Sequence, residues 1–159
     1  MKIWLITDTH FNHDKLVELE QRPKDFNDII CYRWDKRVDP TDLVIHLGDV
    51  ILGKDSTLDE FLNTLPGKKI LTRGNHDHKS IEWYMSKGFD FVCDYFIYKD
   101  IAFSHAPLTP IPHQALGDYQ EEVRLNIHGH FHRGHRGSID RPDLCFDVQY
   151  YHQHKEKYK

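Results

Sequence analysis

Lys69-Ile70-Leu71-Thr72-Arg73-Gly74-Asn75-His76-Asp77 is the stretch from which the rest of the chain can be read. An apolar run of strand character is followed by a glycine, and then an amide, an imidazole and a carboxylate occupy consecutive positions. Alone this is a common polar turn. Four other short clusters built from Asp and His stand in the same place, at the end of an apolar run. Asp8 and His10 follow residues 3–7, and Gly48 and Asp49 follow residues 43–47. His105 follows residues 101–104, and Gly129, His130 and His132 follow residues 125–128. Side chains at the ends of adjacent strands meet in one crevice of an open α/β sheet, however distant they are in the chain.

The segments between the clusters support such a sheet. Residues 3–7, 43–47, 69–72, 89–93, 95–98, 101–103, 124–128 and 144–148 are rich in β-branched and aromatic side chains between turn formers, and read as strands. Phe26, Ile29, Ile30, Arg33, Trp34 and Arg37 recur at helical spacing, with Asp25 as the N-cap. Ser56 opens a second helix that turns Leu58, Phe61, Leu62 and Leu65 inward and stops at Pro66-Gly67. Residues 79–87 make a third helix, ended by Gly88. The order alternates β and α at first and is mostly β afterwards, so the fold class is α/β. Residues 106–120, rich in proline and polar side chains, read as a long loop. Residues 150–159 read as a polar tail that frays.

Composition narrows the class. A chain of 159 residues is expected to form a single domain over residues 1–159. A hydrophobic fraction of 39% and a mean hydropathy of -0.66 describe a soluble globular chain. The net charge of -4 lacks the clustered cations that grip phosphate backbones, so no stable nucleic-acid complex is expected. Cys31, Cys93 and Cys145 are far apart and show no CxxC spacing, which fits a reducing cytoplasm better than a disulfide framework. The N-terminal segment runs directly into Asp8 and is too short for a signal peptide. No apolar stretch approaches the roughly 20 residues that span a bilayer, so no membrane role is expected.

Asp8, His10, Asp49, Asn75, His105, His130 and His132 form a coherent set of donors. Two carboxylates, four imidazoles and one amide oxygen exceed the needs of one ion, and a bridging carboxylate would let them serve two ions roughly 3.5–4 Å apart. Nitrogen and oxygen donors without sulfur favour manganese, iron or zinc, with nickel a further alternative.

The order Asp-x-His, Gly-Asp, Gly-Asn-His-Asp, His, Gly-His-x-His resembles the signature of the calcineurin-like metallophosphoesterases, from Asp8 to His132. The runs 7–13 and 46–50 are similar to those of small prokaryotic and phage-type members. The resemblance implies a four-layer α/β/β/α sandwich with two divalent ions at the strand ends, manganese first among them. It implies Asp8, His10, Asp49 and His132 on one ion, and Asp49, Asn75, His105 and His130 on the other, with Asp49 bridging. His76 would be the catalytic imidazole. The reaction implied is hydrolysis of phosphodiesters, and of some phosphomonoesters. Water acidified by the ions supplies hydroxide for in-line attack, and His76 assists the leaving oxygen. The substrate would be a small phosphorylated molecule, nucleotides included.

Two roles are open to Asp77: orienting His76 through a hydrogen bond, or capping the helix at 79–87. Arg73 is open to a structural ion pair or a substrate contact. His46 and His128 lie within strands and suit either support of the donors or the core. His13, His78 and His135 are expected to face solvent, as are Arg133 and Arg136. Phe131 stands where the family often has a small polar residue. Two other functions share this fold, a nuclease for short single strands and a catalytically inactive interaction scaffold. A scaffold is expected to have lost His76 or the donors, and this chain keeps them.

Overall fold

Residues 1–53, 62–108, 114–116, 119–121, 123–131 and 145–147 are described in a computed structural model. The first half of the chain builds a four-stranded, all-parallel sheet in the order β1-β2-β3-β4. Its strands are Ile3–Ile6 (β1), Leu43–His46 (β2), Lys68–Thr72 (β3) and Phe91–Cys93 (β4). Parallel pairing needs crossover connections, and described helices supply them between β1 and β2 and between β3 and β4. It also puts all four C-terminal ends, and so the first three polar clusters, on one edge. The second half builds a mixed sheet, β10-β9-β6-β5. It consists of Tyr95–Tyr98 (β5), Ile101–Ser104 (β6), Leu125–His128 (β9) and Cys145–Asp147 (β10). Here β6 and β9 are parallel, so His105 and Gly129-His130 also leave from a common edge.

The period-two alternation of the strands sorts side chains into two cores. Trp4, Ile6, Val44, Leu71 and Val92 face one way, against Trp34, Val38, Leu62, Leu65 and Tyr84. Leu5, Leu43, Ile45 and Leu47 face the other way, against Phe96, Ile101, Phe103 and Ile127. The parallel sheet is therefore covered by helices on one face and by the second sheet on the other. Among the described residues no helix follows β4, so the second helical layer of the expected sandwich is not among them.

Several expectations need correction. The first long helix is Phe26–Asp35 (α2), and Asp25 occupies its N-cap position without a capping hydrogen bond. A one-turn helix, Leu16–Leu19 (α1), precedes it; its four residues are too few to leave a periodic signal. The helix expected from Ser56 falls largely on residues 54–61, outside the described ones, though Leu62 and Leu65 are buried as expected. The third helix is Ile81–Ser86 (α3), and Ser80 caps it by accepting a hydrogen bond from the Trp83 N–H at 3.2 Å. Ser80 therefore takes the capping role considered for Asp77. Residues 106–120 are not one long loop. Gln114–Leu116 (β7) and Tyr119–Glu121 (β8) pair antiparallel across the two positions Gly117 and Asp118. In the sequence Gly117-Asp118 is a hairpin signal, which the proline content of the segment outweighed. No described helix is long and apolar enough to cross a membrane.

Candidate metal centre

The loop after β1 and the loop after β2 continue side by side once the strands have ended. Asp8 N–H donates to Gly48 O at 3.0 Å, His10 N–H to Asp49 O at 2.9 Å, and Phe11 N–H to Val50 O at 2.8 Å. Asp8, His10, Asp49 and His130 all have positive φ, at 52°, 47°, 55° and 75°. Asp8 and His10 thus meet through a left-handed turn, not through the alternation of a continuing strand.

Glycines let the loops close on one another. Gly48 has φ +89°, and a Cβ there would fall 2.6 Å from Gly74 N and 2.7 Å from His105 Nδ1. A Cβ on Gly74 would fall 2.5 Å from Asp49 N, and one on Gly129 would fall 2.6 Å from Asp8 Oδ2. Gly74 and Gly129 serve by close approach, and only Gly48 also needs the conformational freedom.

Asp8 and Asp49 each have one oxygen fastened by hydrogen bonds and the other turned toward the His10 ring. Asp8 Oδ2 accepts from Thr7 Oγ1 at 2.5 Å and from His130 N–H at 3.0 Å. Its Oδ1 lies 3.9 Å from His10 Nε2. Asp49 Oδ1 accepts from His76 N–H at 2.9 Å. Its Oδ2 lies 3.6 Å from His10 Nε2 on one side and 3.4 Å from His105 Nε2 on the other. Asp8, His10 and Asp49 form a buried group able to hold a metal ion, with a donor atom from each within 4.8 Å of the others.

The second side of Asp49 has the same character. His105 Nδ1 lies 2.7 Å from Leu47 O, which can only accept, so the proton is on Nδ1. In the neutral ring, Nε2 then presents a lone pair. It faces Asn75 Oδ1 at 3.0 Å and Asp49 Oδ2 at 3.4 Å, both acceptors, with His130 Nδ1 at 3.0 Å. Converging acceptors repel one another unless a cation lies among them, so these donors fit a divalent ion. His132 lies outside the described residues.

His76 is half-buried, with its ring centroid 5.5 Å from that of His10. The Asp77 carboxylate is taken up by other donors. Its Oδ2 accepts from the N–H groups of Asp49 at 2.7 Å and Gly74 at 2.8 Å. Its Oδ1 accepts from Val50 N–H at 3.1 Å and Tyr84 OH at 3.2 Å. Asp77 therefore neither orients His76 by a hydrogen bond nor caps α3; it ties the loop after β3 to the loop after β2. Burial pushes its carboxyl up from the usual range, the backbone donors pull it down, and Asp49 adds to the rise.

His46 resolves in the same manner. It is fully buried, and burial holds its pKa down at about 3, so it is neutral. Thr9 Oγ1 donates to Val50 O at 2.9 Å, so His46 Nε2–H donates to Thr9 Oγ1 at 2.9 Å, while Nδ1 accepts from Gly48 N–H at 3.2 Å. The histidine is a strut between the first two donor loops. His128 is also fully buried. His13 departs from expectation: it is half-buried, with its ring 5.8 Å from that of His10. His78 is exposed as expected, and His135, Arg133 and Arg136 lie outside the described residues. Arg73 forms an ion pair, its Nε and Nη2 both donating to Asp94 Oδ1.

Arg22 carries no motif and is not singled out by sequence. Its guanidinium donates to the carbonyls of Thr9 at 2.8 Å and Asp8 at 2.9 Å, from beneath the left-handed turn. Glu20 flanks it at 3.6 Å, and the Phe26 ring lies 5.4 Å away. The only trace in the sequence is an arginine shortly before an aromatic residue.

Comparison with known proteins agrees with the motif order. A family profile described as the calcineurin-like phosphoesterase superfamily domain matches residues 1–144. An uncharacterized protein of Methanocaldococcus jannaschii is 39% identical over 82 residues, which is 48% of this chain and 47% of that protein. The match thus spans about half the length of that relative. The crystal structure of a protein of unknown function from Aquifex aeolicus, AQ665, superposes with a TM-score of 0.72 at 25% identity, over 100% of both chains.

Proposed function

The chain belongs to the calcineurin-like phosphoesterase superfamily, and from that premise we propose that it hydrolyses phosphodiester bonds, and some phosphomonoesters, at a centre of two divalent cations. Asp8, His10, Asp49 and His132 hold one cation, and Asp49, Asn75, His105 and His130 hold the other. The observation that carries this reading is the position of Asp49 Oδ2, 3.6 Å from His10 Nε2 and 3.4 Å from His105 Nε2. One carboxylate oxygen serves two groups of donors, as a bridge between two ions requires.

When bound, the cations, with manganese the first choice for nitrogen and oxygen donors, supply an acidified water and offset phosphoryl charge. The protein's own groups do the rest. The His76 backbone N–H is fixed to Asp49 Oδ1 at 2.9 Å, and its ring lies 5.5 Å from that of His10. From there His76 gives a proton to the leaving oxygen. Asp77 acts on neither proton nor substrate; it keeps the two loops in register. The substrate is a small phosphorylated molecule, and the free thiols of Cys31 and Cys93 support a cytoplasmic setting.

Elemental analysis of manganese-loaded protein should find about two ions per chain. Asp49→Asn should lose both together, and loss of one alone rules out the bridge. Wild-type protein that holds no ion, and leaves bis(para-nitrophenyl) phosphate intact with manganese, nickel or zinc, rules out the activity.

A further inference from the structure

A cleft of about 380 Å³ opens beside Asn75, His105 and His130, and its far wall belongs to none of the clusters. That wall is Tyr95, Pro107 and Leu108, with the Arg73–Asp94 ion pair at its margin. Tyr95 opens β5 and is 46% exposed, whereas its neighbour Phe96 points into the core and stacks on Phe103 at 4.8 Å. Strand alternation thus leaves the Tyr95 ring on the cleft side of β5.

Part of that wall is built in advance. Asn126 is fully buried; its Oδ1 accepts from Leu108 N–H at 2.8 Å, and its amide N–H donates to Ser104 Oγ at 2.9 Å. Ser104 Oγ in turn donates to Ala106 O at 2.7 Å. The segment 106–108 is therefore pinned to β6 and β9 as it leaves His105. Asp94 takes both Arg73 bonds on Oδ1, which leaves Oδ2 as an acceptor.

We infer that this cleft receives the organic arm of the phosphoester, and that the arm is a nucleoside. The inference rests on the phosphoesterase reading above and adds the substrate class. The phosphoryl group lies toward His105, His130 and Asn75, the base lies against Tyr95 and Leu108, and Asp94 accepts from a sugar hydroxyl. A volume of about 380 Å³ is at the small end for ligand sites, enough for one such arm and not for a strand of several nucleotides.

The test uses phosphonates, which cannot be hydrolysed, and calorimetry with the manganese-loaded full chain. Phenylphosphonate should bind about tenfold or more tightly than methylphosphonate, because a stacked aromatic group contributes that much. The methylenephosphonate analogue of a nucleoside monophosphate should bind more tightly still. Tyr95→Ala should remove the aromatic gain and leave methylphosphonate binding unchanged, while Tyr95→Phe keeps it. Tyr98→Ala, an exposed tyrosine on the same strand outside the cleft, should change nothing. Equal binding of methyl- and phenylphosphonate, or a gain that survives Tyr95→Ala, overturns the inference and leaves the metal centre standing. A nucleoside analogue no tighter than phenylphosphonate overturns the nucleoside assignment. If methylphosphonate itself fails to bind the loaded protein, the metal-centre reading falls, and this inference with it.

Discussion

Asp8, His10, Asp49 and His130 hold their side chains in place on left-handed backbone. For residues other than glycine this conformation costs on the order of 1–3 kcal/mol each, and surrounding contacts must over-determine it. Arg22 supplies two such contacts at the Asp8 and Thr9 carbonyls. Arg22→Ala should lower manganese affinity about 10- to 100-fold, the usual effect of removing a group that orients a ligand. Arg22→Lys, which can reach one carbonyl at a time, should fall between. Titration calorimetry on both variants decides; wild-type affinity in a folded Arg22→Ala protein means that the turn holds itself. His76 makes the opposite separation. His76→Ala should cut turnover by about 10²- to 10⁴-fold, the range for a general acid, while metal content stays at the wild-type value. A variant with wild-type hydrolysis of bis(para-nitrophenyl) phosphate removes His76 from the chemistry.

At the scale of elements, Asp42 sets the register of β1 against β2. Its carboxylate accepts from Lys2 N–H at 2.6 Å, Trp4 Nε1–H at 2.9 Å and Asp39 N–H at 3.2 Å. The bond from Lys2, followed by the one from Trp4, holds its pKa down at about 2. The folded chain therefore binds this proton less tightly than the unfolded chain. The stabilisation is present above the unfolded value of roughly 3.9 and is lost as pH falls through the folded one. The difference in denaturation midpoint between wild type and Asp42→Asn should be constant from neutrality down to about pH 4 and shrink below it. A gap that is the same on both sides of that window shows that charge is not its source. Strand positions were legible to within a residue or two, because alternation is a local pattern. The β7–β8 hairpin was not, since proline-rich composition outweighed three-residue strands. Asp77 is a good capping type and its capping role stayed open in the sequence, but Ser80, directly before the helix, takes it.

For the whole molecule, two sheets bring their carboxyl ends to one edge, and acceptor atoms from both converge there. Such a centre is stabilised by whatever cation fills it. Manganese at about 100 times its Kd should add roughly 2.7 kcal/mol per site, and for a chain of this size raise Tm by about 5–10 °C. A chelator should reverse the shift, and Asp49→Asn should show little of it. Scanning calorimetry with and without manganese measures this, and an unchanged Tm is incompatible with a preformed cation site.

The amino-acid order alone determined the residue types, their places at strand ends and the family signature, because strand periodicity and turn chemistry are written locally. It also named the donors that the structure brings together: Asp8, His10, Asp49, Asn75, His105 and His130. Only the tertiary structure decided which oxygen of Asp8 and of Asp49 is fastened and which is turned toward His10. Only it showed that Asp77 and His46 brace loops, and that Arg22 supports the turn at Asp8. The physical reason is distance along the chain. The bond from His130 N–H to Asp8 Oδ2 joins positions 122 residues apart, and no local pattern records which backbones a folded sheet will press together.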